Sequence, residues 1–242
     1  MEHSKQGWLW VLVTKYAVLF RLYPGRGQEW ASKLLGYFVG ILTSDRWSGY
    51  NHYPSGKRQL CWAHLIRDFK SMCACSPEGE AIGKGLLKAT RLMFKLWHRF
   101  KKRKANQEKE GRKVSMTVLE TQVKAIRHRI KALLEEGAKR GVPKCGPILK
   151  MEPLMWTFTQ KEGIEPTNNA AERAIRPAVL WKKRSFGVES DRGAQYVEAM
   201  LSIWATSQRN GVNAIAFLKE LIHSYRSNSY TPSIFVIVQG LH

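Results

Sequence analysis

The 242 residues carry 40 Lys and Arg against 19 Asp and Glu, a formal net charge of +21, which calls for a polyanionic partner. With 44% hydrophobic residues and nine Trp, the chain is too apolar for a disordered basic tail and is expected to fold around a core. Four cysteines without paired spacing argue against a secreted disulfide scaffold and for a reducing, cytoplasmic compartment.

The first apolar run, Trp8 to Phe20, is broken at Thr14-Lys15-Tyr16, far short of the roughly 20 residues that span a bilayer, so no transmembrane helix and no membrane partner are expected. Its two halves, Trp8 to Val13 and Ala17 to Leu22, are aromatic and β-branched, the pattern of an antiparallel hairpin. Pro24-Gly25-Arg26-Gly27 ends it, Gln28 to Leu35 reads as a short helix, and Gly40 to Ser44 as a buried strand that delivers Asp45 at its exit. Arg58 to Trp62 reads as one more strand, followed by a helix to Met72. From Glu80 to Arg140 apolar residues recur at helical spacing, which predicts a helical hairpin inserted into the core. Its tip, Arg99 to Lys113, holds eight basic and two acidic residues, and is either a solvated turn or a DNA-backbone contact. Helices follow near Asn169 to Trp181, Ala194 to Gln208 and Val212 to Ser224, with Asn210-Gly211 as the turn between the last two. The expected organisation is thus 1–79 and 148–226 as two parts of one α/β core, 80–147 as the insertion and 227–242 as a tail. Ile234 to Val238 in that tail fits either an edge strand or a frameshifted end.

Only three aspartates occur, Asp45, Asp68 and Asp191. Metal-dependent phosphodiester chemistry needs hard oxygen ligands converging from different elements, and a carboxylate at the carboxyl end of a buried strand is well placed to supply one. Asp45 is therefore either a metal ligand or the cap of the next turn. In Thr167-Asn168-Asn169-Ala170-Ala171-Glu172-Arg173-Ala174-Ile175-Arg176, a cap at Thr167 or Asn168 would put Asn168, Glu172 and Arg176 on one helical face. That is either a surface ion pair or a functional carboxylate. Arg173, Arg176, Lys182, Lys183 and Arg184 favour the second, since they place five cations and no acid in twelve residues, a phosphate cradle beside the acid. His64 lies within Cys61-x2-His64 and His64-x3-Asp68 spacings, which alone do not make a zinc site. His64 and Arg67 fit a helix that touches phosphate, with a core histidine as the alternative.

Ser44-Asp45-Arg46-Trp47-Ser48-Gly49-Tyr50-Asn51, Gln59-Leu60-Cys61-Trp62-Ala63-His64-Leu65-Ile66-Arg67-Asp68-Phe69, Asn168 to Pro177 and Ser185 to Gly193 together resemble, in this order, the transposases of the insertion sequence 66 family. The resemblance runs from Trp8 to about Ser224. It implies a ribonuclease-H-like mixed sheet core interrupted by a helical insertion, an Asp-Asp-Glu site with two Mg²⁺ ions, double-stranded DNA (transposon ends and target) as partner, and a homodimer in a synaptic complex. Asp45 is similar to the family's second aspartate and Glu172 to its glutamate, while His64, Arg67, Arg173 and Arg176 are similar to family positions near that site; Asn168 is expected to contact nucleic acid with them.

Against this pattern, the family's first aspartate has no counterpart before Trp8, where Glu2 is the sole acid, and Glu29 lies beyond the hairpin. The expectation is a transposase domain lacking its first, central strand and defective in cleavage, from a truncated or mis-started reading frame. The alternative is a non-catalytic basic DNA-binding remnant that interferes with an intact transposase. An RNA-binding protein is a third class, without an aromatic recognition motif to carry it. Neutralising about six phosphates would give a salt slope near −5 on duplex DNA.

Overall fold

The structure is a computed structural model describing residues 7–185 and 187–234. Glu2, Phe186 and the apolar run from Phe235 to Val238 lie outside the described residues. The chain divides into two compact units, Met1–Phe38 with Asn169–His242, and Val39–Asn168.

In the first unit, β1 (Trp8–Val13) and β2 (Val18–Tyr23) form an antiparallel hairpin, with Trp8 opposite Tyr23 and Val13 opposite Val18. Thr14 closes its turn: its amide donates to Ala17 O at 2.8 Å and its Oγ1 accepts from the Ala17 amide at 3.0 Å. Helix α1 (Gln28–Leu35) ends at Gly36, whose φ of 52° suits a residue without Cβ. Further along the chain the unit contains three longer helices, which we number α7 (Asn169–Ser185), α8 (Asp191–Asn210) and α9 (Ala214–Arg226). Ser190 caps α8 by accepting from the Gly193 amide, Asn213 caps α9 by accepting from the Ile215 and Ala216 amides, and Gly211 at φ 69° makes the turn between them. Pro177 sits inside α7, so the Arg173 carbonyl lacks its usual helical donor. A small core joins Val18 and Phe20 to Ala178 and Ala205.

Helix α8 also seals the outer edge of β2. Glu198 Oε1, Ser202 Oγ and Thr206 Oγ1 accept from the amides of Leu22, Phe20 and Val18 at 2.5, 2.9 and 3.0 Å. One helical step of four residues rises about 6 Å and two strand residues about 6.6 Å, so side chains at i, i+4 and i+8 match alternate amides running the other way. Thr206 Oγ1 also donates to Val18 O, and Arg209 and Asn210 reach the Lys15 and Tyr16 carbonyls.

In the second unit, β3 (Leu42–Ser44) and β4 (Arg58–Leu60) pair in parallel, Leu42 opposite Arg58 and Ser44 opposite Leu60. The helices are α2 (Trp62–Met72), α3 (Pro77–Lys109), α4 (Met116–Lys139), α5 (Cys145–Lys150) and α6 (Thr157–Gln160). Ser76 caps α3 by accepting from the Gly79 amide, with Pro77 in the first turn and Glu78 and Glu80 complementing the helix dipole. The core packs Trp62, Leu65 and Phe69 of α2 against Leu86, Met93 and Trp97 of α3, Leu119, Ile130 and Leu134 of α4, and Trp156 and Phe158. Gly83 permits close approach, since a Cβ there would lie 2.7 Å from the Phe69 carbonyl oxygen and 2.5 Å from Cys73 Sγ.

The chain is a mostly helical α/β protein with two small sheets, rather than one evident mixed sheet among the described residues. The second sheet is short for local reasons: β3 is bounded by Gly40 and Asp45, and β4 ends at Leu60 because the segment turns into α2 at Trp62. Among the described residues no helix is long and apolar enough to cross a membrane.

Candidate functional site

Asp45 leaves β3 half-buried, and the loop after it is folded back by its own side chains. Asp45 Oδ1 accepts from the Trp47 amide at 3.1 Å, and Ser44 Oγ donates to the Asp45 carbonyl at 3.0 Å. The Trp47 ring lies on Gly49, where any Cβ would clash with it, and meets Tyr50 edge-on at 5.3 Å between centroids. His52 Nδ1 contacts Gly49 O at 2.9 Å, and Tyr53 OH donates to Gly40 O at 2.6 Å. Burial first, and the Asp45 charge second, push the Tyr50 hydroxyl up to about 12.

Arg58 is a feature the sequence did not signal. A strand arginine reads as surface, yet this one is 3% exposed, with Nη1 donating to Asn51 Oδ1 at 3.2 Å and Nε and Nη2 without a hydrogen-bond partner. Burial lowers its pKa, while the Asp45 charge works the other way.

Asp68 is committed elsewhere. Arg46 donates to Oδ2 at 3.1 and 2.6 Å, Lys144 to Oδ1 at 2.9 Å, and Lys144 also to Ser71 Oγ at 2.8 Å. Burial raises the Asp68 pKa, but these donors outweigh it and hold the carboxyl below its usual range. The His64-x3-Asp68 spacing therefore joins a histidine to an acid already shared by two cations. His64 is half-buried with Nε2 3.0 Å from Arg67 Nη2, and Arg67 is exposed.

Asn168 does not act as the expected cap: its amide donates to Cys61 Sγ at 3.4 Å, and its Oδ1 is buried without a hydrogen bond. Glu172 is exposed in the first turn of α7, as are Arg173 and Arg176 after it and Lys182, Lys183 and Arg184 in the last turn. Arg176 makes no ion pair among the described residues, so the surface pair with Glu172 is not formed.

The basic tip is partly neutralised within its own unit. Lys101 pairs with Glu165 at 2.5 Å, Lys104 with Glu162 and Glu108, and Arg112 with Glu110. The Lys101–Glu165 and Lys104–Glu162 pairs attach α3 to the segment that precedes α7.

Against known families, the model described as Transposase IS66 family matches residues 1–196. The chain belongs to the Transposase IS66 family. Transposases of this DDE type use a divalent metal and act on DNA. A curated relative of this family member is the uncharacterized protein y4qI of Sinorhizobium fredii (strain NBRC 101917 / NGR234), 23% identical over 247 residues. The match covers 90% of this chain and 44% of the relative, so the chain spans less than half of that protein's length. No solved structure matches.

The donors suit a hard divalent cation one residue at a time: Asp45 has one oxygen held by a backbone amide and the other without a hydrogen bond among the described residues. No group of three or more His, Cys, Asp and Glu able to hold a metal occurs among the described residues.

Proposed function

We propose that this IS66-family chain is the catalytic part of a DNA transposase, a ribonuclease-H-like domain for metal-dependent phosphodiester cleavage and strand transfer on double-stranded DNA. The observation that carries the proposal is the contrast between two acids. Asp45 exits a strand with an oxygen to spare, whereas both oxygens of Asp68 are spent on Arg46 and Lys144. Family membership over residues 1–196 supports it.

In this proposal Asp45 and Glu172 are carboxylate ligands for Mg²⁺, two ions in a full site. Metal held there would make a water or the DNA's own 3′-hydroxyl easier to deprotonate at neutral pH, for attack on the phosphorus, and would stabilise the departing oxygen. The Trp47 amide orients Asp45, and the buried Arg58 guanidinium, itself influenced by the Asp45 charge, stands behind it. Arg173, Arg176, Lys182, Lys183 and Arg184 bind phosphate oxygens, with His64, Arg67 and Asn168 near the reacting strand. Transposon ends and target are the DNA partners, brought together in a synaptic homodimer.

The test compares the chain with Asp45→Asn and Glu172→Gln for Mn²⁺ binding, duplex-DNA binding and metal-dependent nicking. Both substitutions are expected to weaken Mn²⁺ binding and to abolish whatever metal-dependent nicking the chain retains, with DNA affinity within about twofold. Nicking indifferent to both, or no duplex binding by the unmodified chain, refutes the proposal. DNA binding without nicking, and Mn²⁺ binding unaffected by Asp45→Asn, would identify a non-catalytic DNA-binding protein instead.

A further inference from the structure

Helix α3 carries nine Lys and Arg between Ala81 and Gln107 and not one acid. The structure sorts these cations into two groups. Lys84 pairs with Glu80 at 2.6 Å, Lys101 with Glu165, and Lys104 with Glu162 and Glu108. Lys88, Arg91, Lys95, Arg99, Lys102 and Arg103 are all exposed and have no ion-pair partner among the described residues.

At 3.6 residues per turn these six fall within an arc of about 120°, continued by Asn106, whereas Lys101 and Lys104 point to other sides of the helix. Opposite the arc, Leu86, Met93, Trp97 and Phe100 are buried in the unit's core. The stripe is therefore mounted on a helix that packing holds in place. From Lys88 to Arg103 it runs about 22 Å, a length over which one strand of duplex DNA presents about six phosphates. Toward its end Arg99, Lys102, Arg103 and Asn106 border a concavity of about 360 Å³.

We propose that this face of α3 is a rail for the phosphate backbone of duplex DNA, in addition to the cations of α7. The proposal rests on the transposase-domain reading for the identity of its ligand and adds a surface to it. A membrane is a poor fit, because an interfacial helix needs its apolar side for lipid and α3 has spent that side on the core. Single-stranded nucleic acid is disfavoured as well, since no exposed Phe, Tyr or Trp interrupts the six cations to stack a base. Regular cations without base-reading side chains predict binding that ignores sequence and depends steeply on salt.

The test measures binding of the unmodified chain and its variants to blunt duplex DNA of unrelated sequence, across about 50 to 200 mM salt. Removing three contacts in Lys88→Gln/Lys95→Gln/Lys102→Gln should make the salt slope shallower by about 2.7 and weaken binding about 500-fold at 0.1 M salt. The control Lys124→Gln/Lys131→Gln/Lys139→Gln removes the same charge from α4 and should shift the slope by less than about 1. Single Arg91→Gln and Arg99→Gln, each expected to shift the slope by about 0.9, carry the test if circular dichroism shows the triple variant misfolded. Equal effects of the two triple variants, or an unchanged slope in the α3 variant, overturn the rail. So does competition by unstructured RNA or polyglutamate as strong as by duplex DNA. Absence of duplex binding by the unmodified chain sinks the transposase-domain reading as well. Binding that answers to Lys182→Gln/Lys183→Gln/Arg184→Gln but not to the α3 variant sinks the rail alone.

Discussion

Replacing Thr206 by Val keeps shape and volume but removes both hydrogen bonds to Val18, whose amide and carbonyl are buried. Leaving a buried backbone group unpaired costs about 1–3 kcal/mol, and two groups are affected, so the loss should be about 2–6 kcal/mol. Against the usual 5–15 kcal/mol stability of a domain, that is a large fraction. Ser202→Ala orphans only the Phe20 amide and should cost about 1–3 kcal/mol. Glu198→Gln retains an acceptor for the Leu22 amide and gives up only the partly exposed ion pair with Arg21, for a loss under about 1 kcal/mol. The adjacent Ser207 is the control: its Oγ is buried without a partner, so Ser207→Ala should be neutral or stabilising. Native-state hydrogen exchange reads the effect at the strand itself. Protection of the β2 amides in Thr206→Val should fall at least about 30-fold and at most about 25,000-fold, since each 1.36 kcal/mol is a factor of ten. Protection unchanged within about threefold, or Ser207→Ala as damaging as Thr206→Val, would refute the sealed-edge account.

The Asp68 carboxyl, held below its ordinary range, stabilises the fold above the unfolded pKa of about 4 and loses that contribution as pH falls through the folded value. Asp68→Asn should cost about 1–2 kcal/mol at neutral pH and flatten the acid limb of the unfolding curve; an unaltered limb contradicts this. Tyr50 has its pKa raised to about 12, so its contribution is complete below pH 10 and is lost between there and 12. Tyrosinate absorbance should therefore show a late step that Tyr50→Phe reduces by one tyrosine, the raised Tyr23, Tyr53 and Tyr230 remaining, and an undiminished step in the variant refutes the assignment. Gly83→Ala gains about 1 kcal/mol of helix propensity but drives a methyl into the Phe69 carbonyl and Cys73 Sγ. Overpacking of about 1–3 kcal/mol should outweigh the gain and lower the melting temperature; a rise would show that α2 and α3 separate freely.

Local patterns were legible where one element decides its own conformation. Gln28–Leu35 forms the short helix expected after the Pro24 to Gly27 break, the hairpin follows its two apolar runs, and Gly211 turns where Asn210-Gly211 announced it. Asp45 stands at a strand exit because the apolar run ends there. Pairings distant in sequence were not legible. Lys101 and Lys104 meet acids 64 and 58 residues away, so a tip that reads as a uniform basic run is partly neutral, and the unpaired cations continue back along α3 to Lys88. Asp68 meets Lys144 across 76 residues, which removes the acid from the metal-like spacing with His64. Glu198, Ser202 and Thr206 recur every fourth residue as a solvated helical face would, and only the strand beside them gives the pattern its purpose.

The sealing of β2 has a counterpart in β1, which pairs with β2 alone among the described residues. Its sequence, Trp8-Leu9-Trp10-Val11-Leu12-Val13, contains no charge, proline or glycine to discourage a second copy from extending the ladder. Pairing through that edge is opposed by the net charge of +21, whose repulsion acts over about 10 Å in 0.1 M salt and only about 3 Å at 1 M. Concentrated salt, the usual means of stripping nucleic acid from a basic protein, therefore removes the guard on an adhesive edge, and the purified chain should be most soluble in dilute buffer.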